Sequence, residues 1–191
     1  MDRKYEEDRS GIESNTVGVY RTAATVKGGR RFSFSAMIVC GDREGKVGLG
    51  YGKANQVPNA IEKAQKKAKR AMKPFPLTGT TIPHEVTGKF GACSVRLVPA
   101  SPGTGVIAGA AVRAVLDLVG VQDCLSKAYG STNNKNLTKA VLDGLRQLRS
   151  RETVQSLRKV ELEITQTEQS QEAAPSVVAV EVEVEEVVSS E

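Results

Sequence analysis

The alternation of apolar and polar positions changes period along the chain, and each change marks an element. Phe32, Phe34, Ala36, Ile38 and Cys40 alternate with Ser33, Ser35, Met37 and Val39, the period of two expected of a strand over 32–40. A β-rich run opens at Val17, Val19 and Tyr20 and continues toward Val26. Between the two stands Lys27-Gly28-Gly29-Arg30-Arg31, a tight turn with three cations. Gly41-Asp42-Arg43-Glu44-Gly45 predicts a second turn. The strand predicted after it, 46–53, has Gly48, Gly50 and Gly52 at alternate places, and so on one face. Glycine there costs stability and lets another backbone come close. Together these runs predict a three-stranded antiparallel meander.

A helix is predicted over 58–73, with Asn55 as its N-cap and Pro58 in its first turn. At 100° per residue, Ala60, Ile61, Ala64, Ala68, Ala71 and Met72 fall in an arc of about 120°. Lys63, Lys66, Lys67, Lys69, Arg70 and Lys73 fall opposite, in an arc of about 160°. Six bases beside a single acid, Glu62, are too many for internal salt bridges. Such a face is either an ordinary solvated one or a phosphate-facing one. The like sign of the 27–31 turn favours the second.

Pro74 and Pro76 stop the helix, and residues 77–81 read as a linker. Beyond it a hairpin is expected over 85–89 and 94–98, a rigid loop from Pro99 to Gly105, a helix over 106–119 and a strand over 121–128. A last helix is expected over 137–149, capped by Asn136, with Leu137, Val141, Leu142, Leu145 and Leu148 on one face. The order β-β-α-β-α is a two-layer α+β unit. The expected division is therefore a flexible tail over 1–14, a sheet-and-helix domain over 15–78, an α+β domain over 79–151 and an acidic tail over 152–191. Valine and glutamate alternate late in that tail, which reads as disordered for want of a second apolar face to pair with.

Charge sharpens the picture. The chain of 191 residues has a formal net charge of +5, but residues 15–150 hold 21 bases and seven acids, and both tails are acidic. A body so charged is best tolerated when bound to a polyanion. No apolar run is long enough for a membrane span, and the start lacks a signal-peptide core, so a cytosolic location is expected. Cys40, Cys93 and Cys124 have no paired spacing, and His84 is the one histidine. The cysteines read as small buried hydrophobes, with no disulfide and no metal site expected. Phe32 and Phe34 read as core.

Gly103-x-Gly105-x-x-Ala108 follows a predicted strand and opens a helix, as a dinucleotide fingerprint does, and Asp123 stands near the place of a ribose-binding acid. Pro99 and Pro102 lengthen the loop, and no parallel strand–helix alternation precedes it. The alternative is a set of glycines that serves close packing or a contact with another chain. No other cluster supplies parts for catalysis, so a non-enzyme without a cofactor is expected. The remaining alternatives are a nucleotide-dependent enzyme and a free double-stranded RNA regulator.

The meander followed by a helix resembles the core of double-stranded RNA-binding modules. Longer motifs are similar to the bacterial small-subunit ribosomal protein five family. They are Lys27-Gly28-Gly29-Arg30-Arg31-Phe32-Ser33-Phe34, Gly45-Lys46-Val47-Gly48-Leu49-Gly50-Tyr51-Gly52-Lys53-Ala54, Gly79-Thr80-Thr81-Ile82-Pro83-His84-Glu85-Val86, Pro99-Ala100-Ser101-Pro102-Gly103-Thr104-Gly105-Val106, and Lys127-Ala128-Tyr129-Gly130-Ser131-Thr132-Asn133. The resemblance implies an α+β chain of two domains, the second with a left-handed β-α-β crossover. It implies binding to small-subunit ribosomal RNA and contacts with ribosomal proteins four and eight. With proteins three and four, such a chain lines the path of incoming messenger and influences accuracy and assembly. RNA-binding roles are expected for Arg21, Lys27, Gly28, Gly29, Arg30, Arg31, Lys53, Lys63, Lys66, Lys67 and Arg70. A protein interface is expected at Gly103, Thr104, Gly105 and Arg113. Ala24 stands where the family usually has lysine, and Ala110 where it often has glycine. The acidic tail would be repelled by RNA, so deleting residues 165–191 is expected to leave assembly intact. Incorporation of the truncated chain into small subunits, followed by gradient sedimentation, checks this.

Overall fold

The computed structural model describes residues 11–158, together with the short strand Glu6–Glu7. Two sheets and four helices make an α+β fold. The first sheet is antiparallel throughout, in the order β1 (Glu6–Glu7), β2 (Glu13–Val26), β3 (Gly29–Gly41), β4 (Lys46–Ala54) and β5 (Lys73–Pro74). The predicted meander is its centre. Helix α1 (Val57–Arg70) crosses one face. The second sheet has the order β6 (Val86–Phe90), β7 (Cys93–Pro99), β9 (Cys124–Gly130) and β8 (Val106–Ile107). Helix α2 (Ala110–Val119) connects the parallel pair β8 and β9, and α3 (Asn134–Gln147) packs on β6 and β7.

The glycine row does what its spacing implies. A Cβ on Gly48, Gly50 or Gly52 would run into the backbone carbonyl oxygen of Ala68, Ala64 or Ala60 respectively. Strand and helix match because two strand residues advance about 6.6 Å and four helix residues about 6.0 Å. The helix backbone therefore lies directly on the strand, with only Ala60, Ala64 and Ala68 buried beneath it. The core formed there is small: Ala36, Ile38, Cys40 and those three alanines.

The larger core belongs to both sheets. Val39, Val47 and Phe75 of the first half pack in one cluster with Val95, Leu97, Val115, Leu116, Leu118, Val141 and Leu145 of the second. Strand β3 is buried on both faces from Ser35 to Gly41, so Met37 and Val39 do not face water. The Thr138 hydroxyl of α3 meets the Met37 Sδ at 3.6 Å. A backbone clamp reinforces the seam. The turn after β3 donates from Arg43 N–H to the Leu118 carbonyl at 3.1 Å and from Gly45 N–H to that of Val119 at 2.8 Å. These carbonyls lie in the last turn of α2, where no intrahelical donor remains. Gly120 ends α2 in the left-handed region at φ 99°, and a Cβ there would strike the Arg43 carbonyl.

Several expected boundaries move. The N-terminal tail is shorter than residues 1–14, because Glu13 and Ser14 pair with Gly41 and Cys40 and Gln65 donates to the Ser14 hydroxyl. The C-terminal segment remains helical over Arg151–Arg158 (α4), while the rest of the acidic tail lies outside the described residues. Helix α1 is capped at Gln56 without a side-chain bond, so Asn55 is not its cap, and it ends at Arg70. Residues 106–107 are strand, and α2 begins only at Ala110. The cap of α3 is Asn133, whose side chain accepts from the Lys135 N–H, and not Asn136. The 77–81 linker is bound to the second unit, since the Thr80 carbonyl accepts from the Gln122 and Asp123 N–H groups. All three cysteines are buried and free, and burial pushes the thiols of Cys40 and Cys124 up to about 11.

Gly50→Ala is expected to destabilise the fold by roughly 3 kcal/mol, the upper end of overpacking costs, because helix and strand backbones must separate. Gly28→Ala, with no atom within 4 Å of the new Cβ, should stay within about 0.5 kcal/mol of the parent. Denaturant unfolding of the two variants checks both.

Candidate RNA interface

Strands β2 and β3 pair as far as Val26 and Gly29, whereas β4 pairs with β3 only to Phe34. Beyond that point a two-stranded arm projects by about five residues, or roughly 17 Å. Lys27 and Gly28 form its tip, and residues 23–32 are exposed throughout. Register assigns Arg21, Arg30 and Phe32 to the α1 side of the arm and Arg31 to the other side. The Arg21 guanidinium lies 3.6 Å from the centroid of the Phe32 ring. Phe32 is 46% exposed, so its expected place in the core is overturned, and Phe34 is only half-buried. The reason is topological: the arm outruns both α1 and β4, and nothing remains to bury it against. Stacking holds the arginine flat at the base of the arm and leaves its edge N–H groups outward.

Lys63, Lys66, Lys67 and Arg70 are exposed and line a shallow groove of about 340 Å³ with Asn59 and Glu62. Gln65, about 150° around the helix from the centre of that row, donates to Ser14 on β2. The basic row therefore overlies the opposite flank, the β4 edge. Lys53 is on β4 but on the face away from α1, since the glycines at 48, 50 and 52 occupy the α1 side. The structure thus gathers the expected cations into an arm and a helix row, with Lys53 on the far side of the β4 strand that separates them from the second half. They form successive stations around one edge of the sheet and not a single flat patch.

Tyr20, Tyr51 and Lys135 escaped the sequence reading. The Lys135 ammonium lies 4.7 Å from the Tyr20 ring centroid and 4.9 Å from that of Tyr51. Tyr51 alternates with the glycine row, which placed it on the face opposite α1. That face could be read from the sequence, but the approach of Lys135 from α3 could not. A hydrogen bond from Ser35 and the positive charges of Lys135 and Lys53 hold the Tyr51 hydroxyl below its usual pKa, against the opposing effect of burial.

The second expected site is the loop before β8. Gly103 and Thr104 are exposed, Gly105 is half-buried, and both glycines have positive φ, 87° and 76°. Thr104 turns back on Ser101, its hydroxyl donating to that carbonyl at 2.8 Å. The Gly105 N–H donates to Asp123 Oδ1 at 2.8 Å. Hydrogen bonds from the backbone of Gly105 first, then from the Thr80 side chain and the backbone of Gly103 and Thr104, hold the Asp123 carboxyl below its usual 3.8. The amides that a pyrophosphate would need are taken by a carboxylate, and a second anion there would be repelled. This geometry removes the physical basis of the nucleotide reading. Arg113 is exposed on α2 and donates to the Val106 carbonyl at 3.0 Å, so it is joined to the loop through β8. Arg43, Val106, Arg113 and Asp117 line a hollow of about 590 Å³ at the seam between the halves.

Asp123 has a lowered pKa in the folded chain, so its contribution to the loop is fully present above pH 3.8 and is lost as pH falls through the lowered value. Hydrogen exchange at the Gly105 amide, measured relative to its intrinsic rate, should lose protection in that acid range. In Asp123→Asn this dependence on pH should disappear.

Two family models match the chain. Ribosomal protein S5, N-terminal domain, covers residues 12–76, and Ribosomal protein S5, C-terminal domain, covers residues 88–158. Relatives named small ribosomal subunit protein uS5 agree closely. That of Syntrophobacter fumaroxidans is 54% identical over 153 residues, 80% of this chain and 92% of its own length. That of Rhodopirellula baltica is 52% identical over 149 residues, 78% of this chain and 84% of its own. That of Thermus thermophilus is 52% identical over 150 residues, 78% of this chain and 93% of its own. With both halves matched and half of the aligned positions identical, the chain belongs to the ribosomal protein S5 family.

Proposed function

We propose that the chain works in the cytoplasm as a structural, non-catalytic part of the small ribosomal subunit that grips small-subunit ribosomal RNA. The observation that carries this reading is the arm formed by β2 and β3. A folded protein gains nothing internally from Lys27, Arg30 and Arg31 at the tip of an unsupported ribbon. An external polyanion explains them. Each contact of a lysine or arginine with a phosphate releases counterions, and this supplies most of the affinity. Gly28 and Gly29 leave open space at the tip, so RNA backbone can approach the chain closely. Arg21 at the arm's base, Lys53 on β4, and Lys63, Lys66, Lys67 and Arg70 on α1 extend the same contact along the sheet edge.

The second half serves neighbouring proteins in this reading. Gly103, Thr104, Gly105 and Arg113 present an exposed, backbone-rich surface that Asp123 holds in shape. Contacts with small-subunit proteins four and eight, with protein three nearby, fit that surface, and so do roles in assembly, in lining the messenger path and in accuracy. The two halves share one core, so a contact on the 103–105 loop and a contact on the arm are held in fixed relation.

Replacing Lys27, Arg30 and Arg31 together by glutamine should weaken RNA binding and lower the slope of log affinity against log salt by about one unit per lost phosphate contact, roughly two to three in all. Titration of small-subunit ribosomal RNA at several salt concentrations reads both effects. An unchanged slope and affinity would refute the assignment. Co-sedimentation of the parent chain with small subunits tests the ribosomal role itself, against that of a free RNA regulator.

A further inference from the structure

A second basic row lies on α3. Lys135, Lys139 and Arg146 fall within an arc of about 40° of that helix, opposite its buried residues. The row faces the seam between the two halves. Lys135 sits over Tyr20 and Tyr51, and the Lys139 ammonium lies 4.6 Å from the centroid of the Phe90 ring. Leu49, Ala71, Phe90, Lys139, Leu142, Asp143 and Arg146 enclose a hollow of about 300 Å³ that joins β4 and the end of α1 to α3. Leu49, Tyr51 and Lys53 alternate along β4 on this side, while its glycines face α1.

Strand β4 pairs with β5 only at Lys46 and Val47, so the stretch 48–54 is an edge of the first sheet. Helix α1 overlies one face of that edge, and its row of Lys63, Lys66, Lys67 and Arg70 leans toward it. On the opposite face the first turn of α3 meets the edge, with Lys135 over Tyr51, and Lys139 and Arg146 follow on the same side of that helix, Arg146 beside the hollow that Leu49 lines. Rows of cations thus stand on either face of β4, with Lys53 toward the end of the edge on the face away from α1, and Tyr51 and Phe90 each 40% exposed. The carboxylates beside the two rows are Glu62 and Asp143, and Asp143 already accepts from the Lys89 N–H at 3.2 Å and from Gln147 at 2.9 Å.

We infer that the β4 edge is a two-walled seat for double-helical RNA, with one phosphate strand held by α1 and the other by Lys135, Lys139 and Arg146 of α3. The inference rests on the RNA-binding reading above and extends it from the first half to the seam. Two rows related across an edge suit the paired backbones of a helix, which present phosphates on both sides of a groove. A protein partner would need an acidic surface of the same double spacing, so RNA is the occupant the geometry favours. The ring contacts with Tyr20, Tyr51 and Phe90 fix where the Lys135 and Lys139 ammoniums lie, and the rings need not touch bases.

The test compares binding of a small-subunit ribosomal RNA transcript, and of single-stranded poly(U), by the full chain and three variants. Lys139→Gln with Arg146→Gln removes two exposed charges and leaves the Lys135 contact with Tyr20 and Tyr51 intact. It should lower the salt slope for the transcript by about two units and leave poly(U) binding nearly unchanged. Lys135→Arg keeps the charge and should bind as the parent does. Lys127→Gln, exposed on the outer face of the second sheet, should also match the parent. A parental slope for the Lys139/Arg146 pair, equal weakening toward poly(U), or an equal loss in Lys127→Gln would overturn the seat. If the triple replacement of Lys27, Arg30 and Arg31 were also without effect, the RNA reading itself would fall. A parental slope in the α3 pair alone would remove only the second wall. Far-ultraviolet circular dichroism and the unfolding midpoint establish that the variants are folded.

Discussion

Strand β3 is packed from both sides, and the rest of the molecule follows from that. On one face lies α1, drawn close by glycine against alanine. On the other lie Val115, Leu118 and the α3 residue Thr138, against Val39 and Met37. Each half alone would be a small unit with a small core, and units of that size bury too little surface to be comfortably stable. Joining them around one strand gives a single cluster that includes residues from both sheets. The clamp at Arg43 and Gly45 adds direction, since it satisfies carbonyls at the end of α2 with donors from another element.

That architecture decides where charge can go. An interior built from alanine, glycine, valine and small leucine clusters has no room for buried ion pairs, and the cations are displaced to the periphery. Among the described residues, ion pairs join Arg43 to Glu13, Lys46 to Asp42 and Arg96 to Glu85, away from the arm and from the α1 row. The cations of the arm and α1 accumulate around one sheet edge at fixed spacing.

The glycine-rich loop before β8 shows how context overrides a motif. Its spacing fits a phosphate cradle, and its neighbouring acid fits a ribose partner. In the folded chain the acid turns inward and takes the amide itself. Gly105 and Asp123, which suggested a nucleotide, become a self-contained brace, and Gly103 and Thr104 beside them remain exposed.

Much of the fold was legible in local pattern. The alternation around β3, the glycine row of β4 and the alanine stripe of α1 dictate a helix lying directly on a strand, because only those side chains permit that distance. The cations of the 27–31 turn and of α1 were equally visible, since a row of like charge has no internal use. What local pattern could not tell was which faces would be covered. Met37 and Val39 alternate like solvent-facing residues, yet they are core; Phe32 alternates like core, yet it is exposed. Local pattern was enough for the central meander, for α1 and α3, for their charge and for the family resemblance, but not for β1, β5 or β8; tertiary structure decided the two-sided burial of β3 and the length of the unsupported arm. The physical reason is that periodicity records which side of an element is apolar, whereas burial depends on whether a distant part of the chain arrives to cover it.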